Sequence, residues 1–262
     1  MMKITIIGCG NMGQALAQRL SPTSQLFFYD HNKEKSEILE QQGYGTACRN
    51  IIEAMCSSEI IILAVKPQNL KQLADLITEK LKGNQMIVSL LAGTTIETLR
   101  NHFPAVKIIR MMPNLPLLYG EGVIGLSLSK TQTNEDKEHL KKLFAPLGKI
   151  YWLDEEKIDA LTALAGSGPA FFFSMVEAMV DAGIAMGFSA SDAQDLIYQM
   201  LKGSLILLEQ TTKHPGELKW QIASPQGTTI AGLKRLEELA LRAGIINTFL
   251  AAYDRAKILS SS

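Results

Sequence analysis

Two glycine-containing stretches hold the residues best suited to chemistry. In Gly8-Cys9-Gly10-Asn11-Met12-Gly13 the glycine spacing lets the chain turn tightly and bring backbone N–H groups up to a pyrophosphate. The second stretch, Ser224-Pro225-Gln226-Gly227-Thr228-Thr229, precedes apolar residues at Ile230, Leu233, Leu236 and Leu239, at roughly helical spacing. A helix starting there leaves N–H groups without intrahelical partners, and such an end binds anions, carboxylates included. A nucleotide loop plus a separate anion site predicts a small anionic substrate brought to a cofactor.

No other motif competes for the chemistry. His31, His102, His139 and His214 all lie outside Gly-rich or Ser/Thr-rich motifs and are expected at solvated positions. The chain has no H-E-x-x-H pattern, Cys/His cluster or nucleophile elbow, so no metal site is expected and serine-type catalysis lacks a signature. Hydride transfer asks less of the protein, which must align an acceptor carbon with a nicotinamide and stabilise its charge.

Alternating strands and helices must position these residues. Residues 3–7 form an apolar run closed by Gly8, and Ala15, Leu16 and Leu20 follow at helical spacing, giving strand, loop, helix. Residues 26–29 read as a second strand ending in Asp30. The runs 60–65 and 86–91 suit parallel strands covered on both faces, and 107–110 and 122–127 add two more. The pattern predicts a doubly wound parallel α/β sheet of Rossmann type over residues 1–154. From residue 155 to 262 strand signals disappear, and an all-helical domain is expected. Its segment 170–184 is apolar around much of its circumference, which predicts a homodimer at least.

Asp30 stands about where an acidic residue holds the adenosine ribose of NAD, and its charge would repel a 2′-phosphate. His31, Asn32, Lys33 and Lys35 offer the donors that the 2′-phosphate of NADP requires, so the sequence leaves NADPH and NADH both open. Ala64, Val65, Lys66 and Pro67 end a buried strand at the sheet edge where ligands bind in such folds, with Lys66 reading as an exposed strand-end lysine. Arg110-Met111-Met112-Pro113-Asn114 has the same strand-end character, and Asn114 can hydrogen-bond a carboxamide.

Composition narrows the partners. The 262 residues carry 26 Lys+Arg against 26 Asp+Glu, which removes the electrostatic case for nucleic acid or an anionic membrane surface. Cys9, Cys48 and Cys56 are scattered and odd in number, which suits a reducing cytoplasm. No signal peptide is expected, and apolar runs such as 60–65 are too short to span a bilayer.

Taken together, these motifs resemble those of pyrroline-5-carboxylate reductase. The likeness runs almost end to end, through 6–13, 64–67, 110–114, Gly166-Ser167-Gly168-Pro169-Ala170, His214-Pro215-Gly216 and, most specifically, 224–233. It implies reduction of the cyclic imine 1-pyrroline-5-carboxylate to L-proline by NADPH or NADH. It also implies a helical domain interlocked with a neighbour, in a dimer or a ring of dimers, with the active site between one subunit's cofactor and helices of both. By the same resemblance Gly8, Cys9, Gly10, Asn11, Met12 and Gly13 hold the pyrophosphate, and Asn50 lies by the adenine. Ala64, Val65, Lys66, Pro67, Met112, Pro113 and Asn114 line the nicotinamide end. Ser224, Gly227, Thr228 and Thr229 receive the imino acid, with the Thr229 hydroxyl at the reacting nitrogen.

The chain departs from the family pattern at four places that touch or adjoin this pocket. Gln226 replaces a glycine, Phe171 a tyrosine, Leu115 a threonine, and Trp220 a polar residue. A 3-hydroxyacid or 6-phosphogluconate-type dehydrogenase shares the two-domain plan but relies on a lysine that 170–184 lacks. A non-catalytic dinucleotide sensor would not require the intact Thr228-Thr229.

Overall fold

The structure, a computed structural model, describes residues 1–129 and 133–260. It divides into one compact unit of Met1–Gly166 with Ala252–Ser262, and a second of Ser167–Ala251. The first unit is built on an eight-stranded sheet: β1 (Met2–Ile7), β2 (Ser24–Tyr29), β3 (Thr46–Ala47), β4 (Ile60–Leu63), β5 (Met86–Ser89), β6 (Lys107–Met112), β7 (Gly122–Leu128) and β8 (Gly148–Trp152). Its strand order is β3-β2-β1-β4-β5-β6-β7-β8. The strands from β3 through β6 pair in parallel, β7 runs antiparallel to β6, and β8 pairs in parallel with β7. The doubly wound sheet expected from the apolar runs is therefore present, with β7 and β8 reversed at one edge.

Strand period explains the two cores. Ile4, Ile6, Ile60 and Ile62 point to one face, where they pack with Phe28, Leu16, Leu20 and Phe144. Ile7, Ile61, Leu63 and Ile87 point to the other and meet Leu73, Ile77, Leu99 and Phe103. The covering helices are α1 (Asn11–Leu20), α2 (Lys33–Gln41), α3 (Ile51–Met55), α4 (Leu70–Ile77), α5 (Ile96–His102) and α6 (Asn134–Phe144). After β1 the chain builds outward through β2 and β3, then crosses back to β4 on the other side of β1. That reversal opens a crevice at the C-terminal ends of β1 and β4, where ligands bind in open α/β sheets.

After β8, α7 (Ile158–Leu161) leads into a π-helical turn, Thr162–Ser167. The remaining helices are α8 (Gly168–Ala185), α9 (Ala190–Gln210), α10 (Pro215–Ile222), α11 (Thr228–Glu238) and α12 (Leu241–Ser260), which confirms the helical C-terminal half. Within the second unit α8 and α9 approach closely at Gly183, where a Cβ would meet the Ala193 Cβ at 2.8 Å. Among its described residues the buried hydrophobics are Val176, Ala193 and Leu218, while Phe173, Phe188, Leu196 and Leu205 are about half exposed. Each large side chain left in water forgoes roughly 1.5–3 kcal/mol of burial. The helical run Glu155–Ala185 is long and apolar enough, by length and composition alone, to cross a bilayer.

Candidate active site

The glycine loop is fixed by its neighbours on both sides. Gly8 has φ of 101°, in the region that disfavours side chains, and its N–H donates to the Tyr29 carbonyl at 2.9 Å. A Cβ on Gly8 would meet the Ala64 carbonyl at 2.6 Å, so glycine is required where β1 and β4 end side by side. Gly13 closes the loop, because a Cβ there would run into the Gly8 carbonyl. Around Gly10, by contrast, a Cβ would meet nothing within 4 Å. A tight turn with open space over its middle glycine is the cradle a pyrophosphate needs, and the residues present therefore fit a dinucleotide. α1 starts at Asn11 with no side-chain cap, leaving its first N–H groups available, and the Gln14 side chain donates to the Cys9 carbonyl at 3.0 Å. Gln14 was not singled out from sequence, since an amide in a first helical turn carries no pattern of its own.

Asp30 lies against this loop. Its Oδ2 accepts from the Cys9 N–H at 2.7 Å and its Oδ1 from the Asn32 N–H at 2.9 Å, and the residue is buried. Asn32 caps α2 by accepting from the Glu34 N–H, and it is exposed together with His31 and Lys33. Cys9 is buried, and burial, then the Asp30 charge, pushes its thiol up to about 12 despite the opposing charge of Lys35, a rise that disfavours the thiolate. Asn50 caps α3 through the Glu53 N–H and is exposed; among the described residues no hydrogen bond ties it to the glycine loop.

The ends of β4 and β6 supply the rest of this edge. Ala64 and Val65 are half-buried, and Lys66 and Pro67 are exposed, as expected of a strand leaving the sheet. Met112 is half-buried and touches the π-helical turn, where a Cβ on Gly166 would meet its Cε at 3.0 Å. Pro113 and Asn114 are buried. The Asn114 side chain donates to the Ala165 carbonyl at 3.0 Å and accepts from the Val123 N–H at 2.8 Å. Its amide is thereby tied to the protein frame at both ends, with one N–H to spare, and it braces the π-helical turn beside β6. The buried Arg110 reaches Glu155 at 3.2 Å and Asp159 at 3.4 Å, tying β6 to the segment that follows β8. An arginine inside an apolar strand run was the available signal for such a pair, but sequence does not name its partners.

In the second unit Ser224, Pro225, Gln226 and Gly227 make a turn closed by the Gly227 N–H to the Ser224 carbonyl at 3.1 Å. Pro225 at its second position and φ of 59° at Gln226, its third, match a type II turn, which normally takes glycine there. Gly227 is the N-cap of α11 and offers no side-chain cap, and a Cβ on it would strike the Ser224 Oγ. Among the described residues the N–H groups of Thr228, Thr229 and Ile230 have no acceptor, the first helical bond being Ala231 N–H to the Gly227 carbonyl at 3.3 Å. Thr228 is exposed and Thr229 half-buried, and the Thr229 hydroxyl makes no hydrogen bond among the described residues. The turn thus opens a helix with uncapped N–H donors, as the spacing predicted, and the Thr229 hydroxyl has no partner among the described residues. Of the other departures, Phe171 packs edge-on against Phe249 with centroids 5.3 Å apart, Leu115 is exposed, and the exposed Trp220 lies under the Lys219 ammonium, 5.0 Å away.

Two segments of the chain match family models. Residues 155–259 match the family model for pyrroline-5-carboxylate reductase dimerisation, and residues 3–93 match that for NADP oxidoreductase, coenzyme F420-dependent. The pyrroline-5-carboxylate reductase of Arabidopsis thaliana is 35% identical over 266 residues, covering 99% of this chain and 96% of the relative. That of Escherichia coli K12 is 32% identical, covering 99% of both chains. The crystal structure of Plasmodium falciparum pyrroline carboxylate reductase with NADP bound superposes with a TM-score of 0.90 at 28% identity, covering 99% of this chain and 98% of that one. With likeness of this extent in sequence and in structure, the chain belongs to the pyrroline-5-carboxylate reductase family.

Proposed function

We propose that this protein reduces the C=N bond of 1-pyrroline-5-carboxylate to give L-proline, with NADPH as hydride donor. The observation that carries this reading is the uncapped start of α11, where donors for a carboxylate stand beside the free hydroxyl of Thr229. NADPH, when bound, supplies the hydride. The backbone N–H groups of Thr228, Thr229 and Ile230, with Ser224 and Gly227 shaping the turn, hold the substrate carboxylate. Thr229 orients the imine nitrogen, which enters protonated and leaves as the amine once the adjacent carbon has taken the hydride. No acid–base histidine is needed, because an iminium already accepts hydride readily and no proton must move at that step.

Gly8, Cys9, Gly10, Asn11, Met12 and Gly13 hold the pyrophosphate, with Asn32 and Lys33 beside the ribose and Asn50 near the adenine. Ala64, Val65, Lys66, Pro67, Met112, Pro113 and Asn114 form the nicotinamide end. NADPH is preferred here because the Plasmodium relative binds NADP; NADH remains the alternative donor. We assign residues 1–154 to cofactor binding and 155–262 to dimerisation and substrate binding. The exposed apolar helices form a subunit interface rather than a membrane span, in a homodimer or a ring of dimers. With free cysteines and balanced charge, the enzyme works in the cytoplasm without nucleic-acid partners.

Thr229→Ala tests the assignment. Turnover should fall by about tenfold to a thousandfold, the range for losing one positioned polar group at a reacting centre, while the Kd for NADPH stays within about twofold. Unchanged turnover removes Thr229 from the site.

A further inference from the structure

We infer that Asp30 is a positioning residue of the dinucleotide loop, and that its charge does not decide between NADPH and NADH. The inference rests on the cofactor reading above but on different atoms. An acid after the second strand is expected to face the ribose, where it would accept from hydroxyls and repel a 2′-phosphate. Here both oxygens are turned onto the main chain, Oδ2 to the Cys9 N–H and Oδ1 to the Asn32 N–H, and the exposed His31 ring reaches Oδ1 at 3.0 Å. A carboxylate has about four lone-pair sites, and three are taken.

The two main-chain bonds have a structural consequence. They join the glycine loop after β1, at the crevice, to the connection between β2 and α2, which follows the strand on the other side of β1 from β4. The Cys9 N–H directed at Asp30 sets the Gly8-Cys9 peptide plane, which together with φ of 101° at Gly8 orients the N–H groups that follow. Charge-assisted bonds to buried partners are stronger than neutral ones, so the carboxylate suits this task. The start of α2 and the two N–H dipoles offset its charge. The exposed donors left beyond the carboxylate are Lys33 and the Asn32 amide nitrogen, whose oxygen is spent on the cap, the His31 N–H being committed to Asp30. A 2′-phosphate therefore meets donors before it meets the acid.

The experiment is Asp30→Asn, which replaces one acceptor oxygen by a donor, with His31→Ala as the variant that keeps both main-chain bonds. Kd values for NADPH and for NADH are measured by equilibrium fluorescence titration without substrate, and amide hydrogen exchange of residues 8–13 is followed in the cofactor-free protein. In Asp30→Asn both Kd values should rise by about fivefold or more and by the same factor within about twofold, with faster exchange at Cys9; His31→Ala should leave exchange and the NADH Kd unchanged. A gain for NADPH over NADH of about tenfold or more in Asp30→Asn would show that the charge discriminates. Unchanged Kd values with only a lower melting temperature would reduce Asp30 to a structural role, and either result overturns the proposal. If the parent protein binds neither dinucleotide, the proposed function falls, and unaltered exchange at residues 8–13 in Asp30→Asn would then overturn the positioning role on its own.

Discussion

Gln226 carries the most consequential departure at the scale of single residues. A side chain in the left-handed region costs about 1–2 kcal/mol, whereas glycine there costs the unfolded chain about 0.4–1 kcal/mol in added freedom. The difference favours glycine, because Gln226 is exposed and its carboxamide has no partner among the described residues. Gln226→Gly should therefore stabilise the protein by roughly 0.5–1 kcal/mol in chemical denaturation. Ala240→Gly, relieving φ of 51° between α11 and α12, is the control for the same gain away from the turn. A loss of stability at Gln226 alone would mean that its side chain makes a contact worth more than the strain. The sequence identified position 226 as unusual, but only the backbone angle reveals the cost. Asp30 and Asn114 were legible in the same limited way. Spacing picked out the acid and the amide, yet which way each points follows from main-chain groups of Cys9 and Ala165, distant in the chain, together with the nearer Asn32 and Val123.

Among the elements, α6 shows how a helix start can be tied to the sheet. Thr133 and Asp136 form a reciprocal capping box, and Asp136 also takes the Lys107 ammonium of β6 at 2.7 Å. Burial pulls the Asp136 carboxyl upward, but Lys107 and the Thr133 donors outweigh it and hold the group below its ordinary value. Because the folded-state value is depressed, this stabilisation is complete above the unfolded value of 3.8 and is lost as pH falls through the folded one. Asp136→Asn should cost about 1 kcal/mol at neutral pH, and its difference from the parent should shrink in acid. A constant difference across pH in thermal melts would contradict the ionic contribution. The elements nearest the cofactor were the easiest to read, since glycine spacing and unbroken apolar runs mark β1, α1, β4 and β5. β3 is only two residues long, and β8 alternates half-buried with exposed positions at the sheet edge, so neither gave a hydrophobic signal. The reversal of β7 against β6 depends on pairing, which residue types do not encode.

For the molecule as a whole, the apolar circumference of 170–184 did announce a surface awaiting a partner, and the dimerisation match over 155–259 accounts for it. Leu205 on α9 is 54% exposed, so Leu205→Glu leaves the core of the single chain untouched while placing a charge on an exposed apolar position within the range matched to dimerisation. Light scattering should report a shift toward smaller assemblies, whereas an unchanged mass would move the interface elsewhere. Sequence could not give the size of the assembly, because it depends on how copies are arranged. The central claim, that a dinucleotide cradle and an uncapped α11 together serve imine reduction, is tested most directly by following reduced-cofactor oxidation on addition of 1-pyrroline-5-carboxylate. Substrate-dependent oxidation with NADPH, matched mole for mole by L-proline, is the expected result, and absence of oxidation with both NADPH and NADH would contradict it.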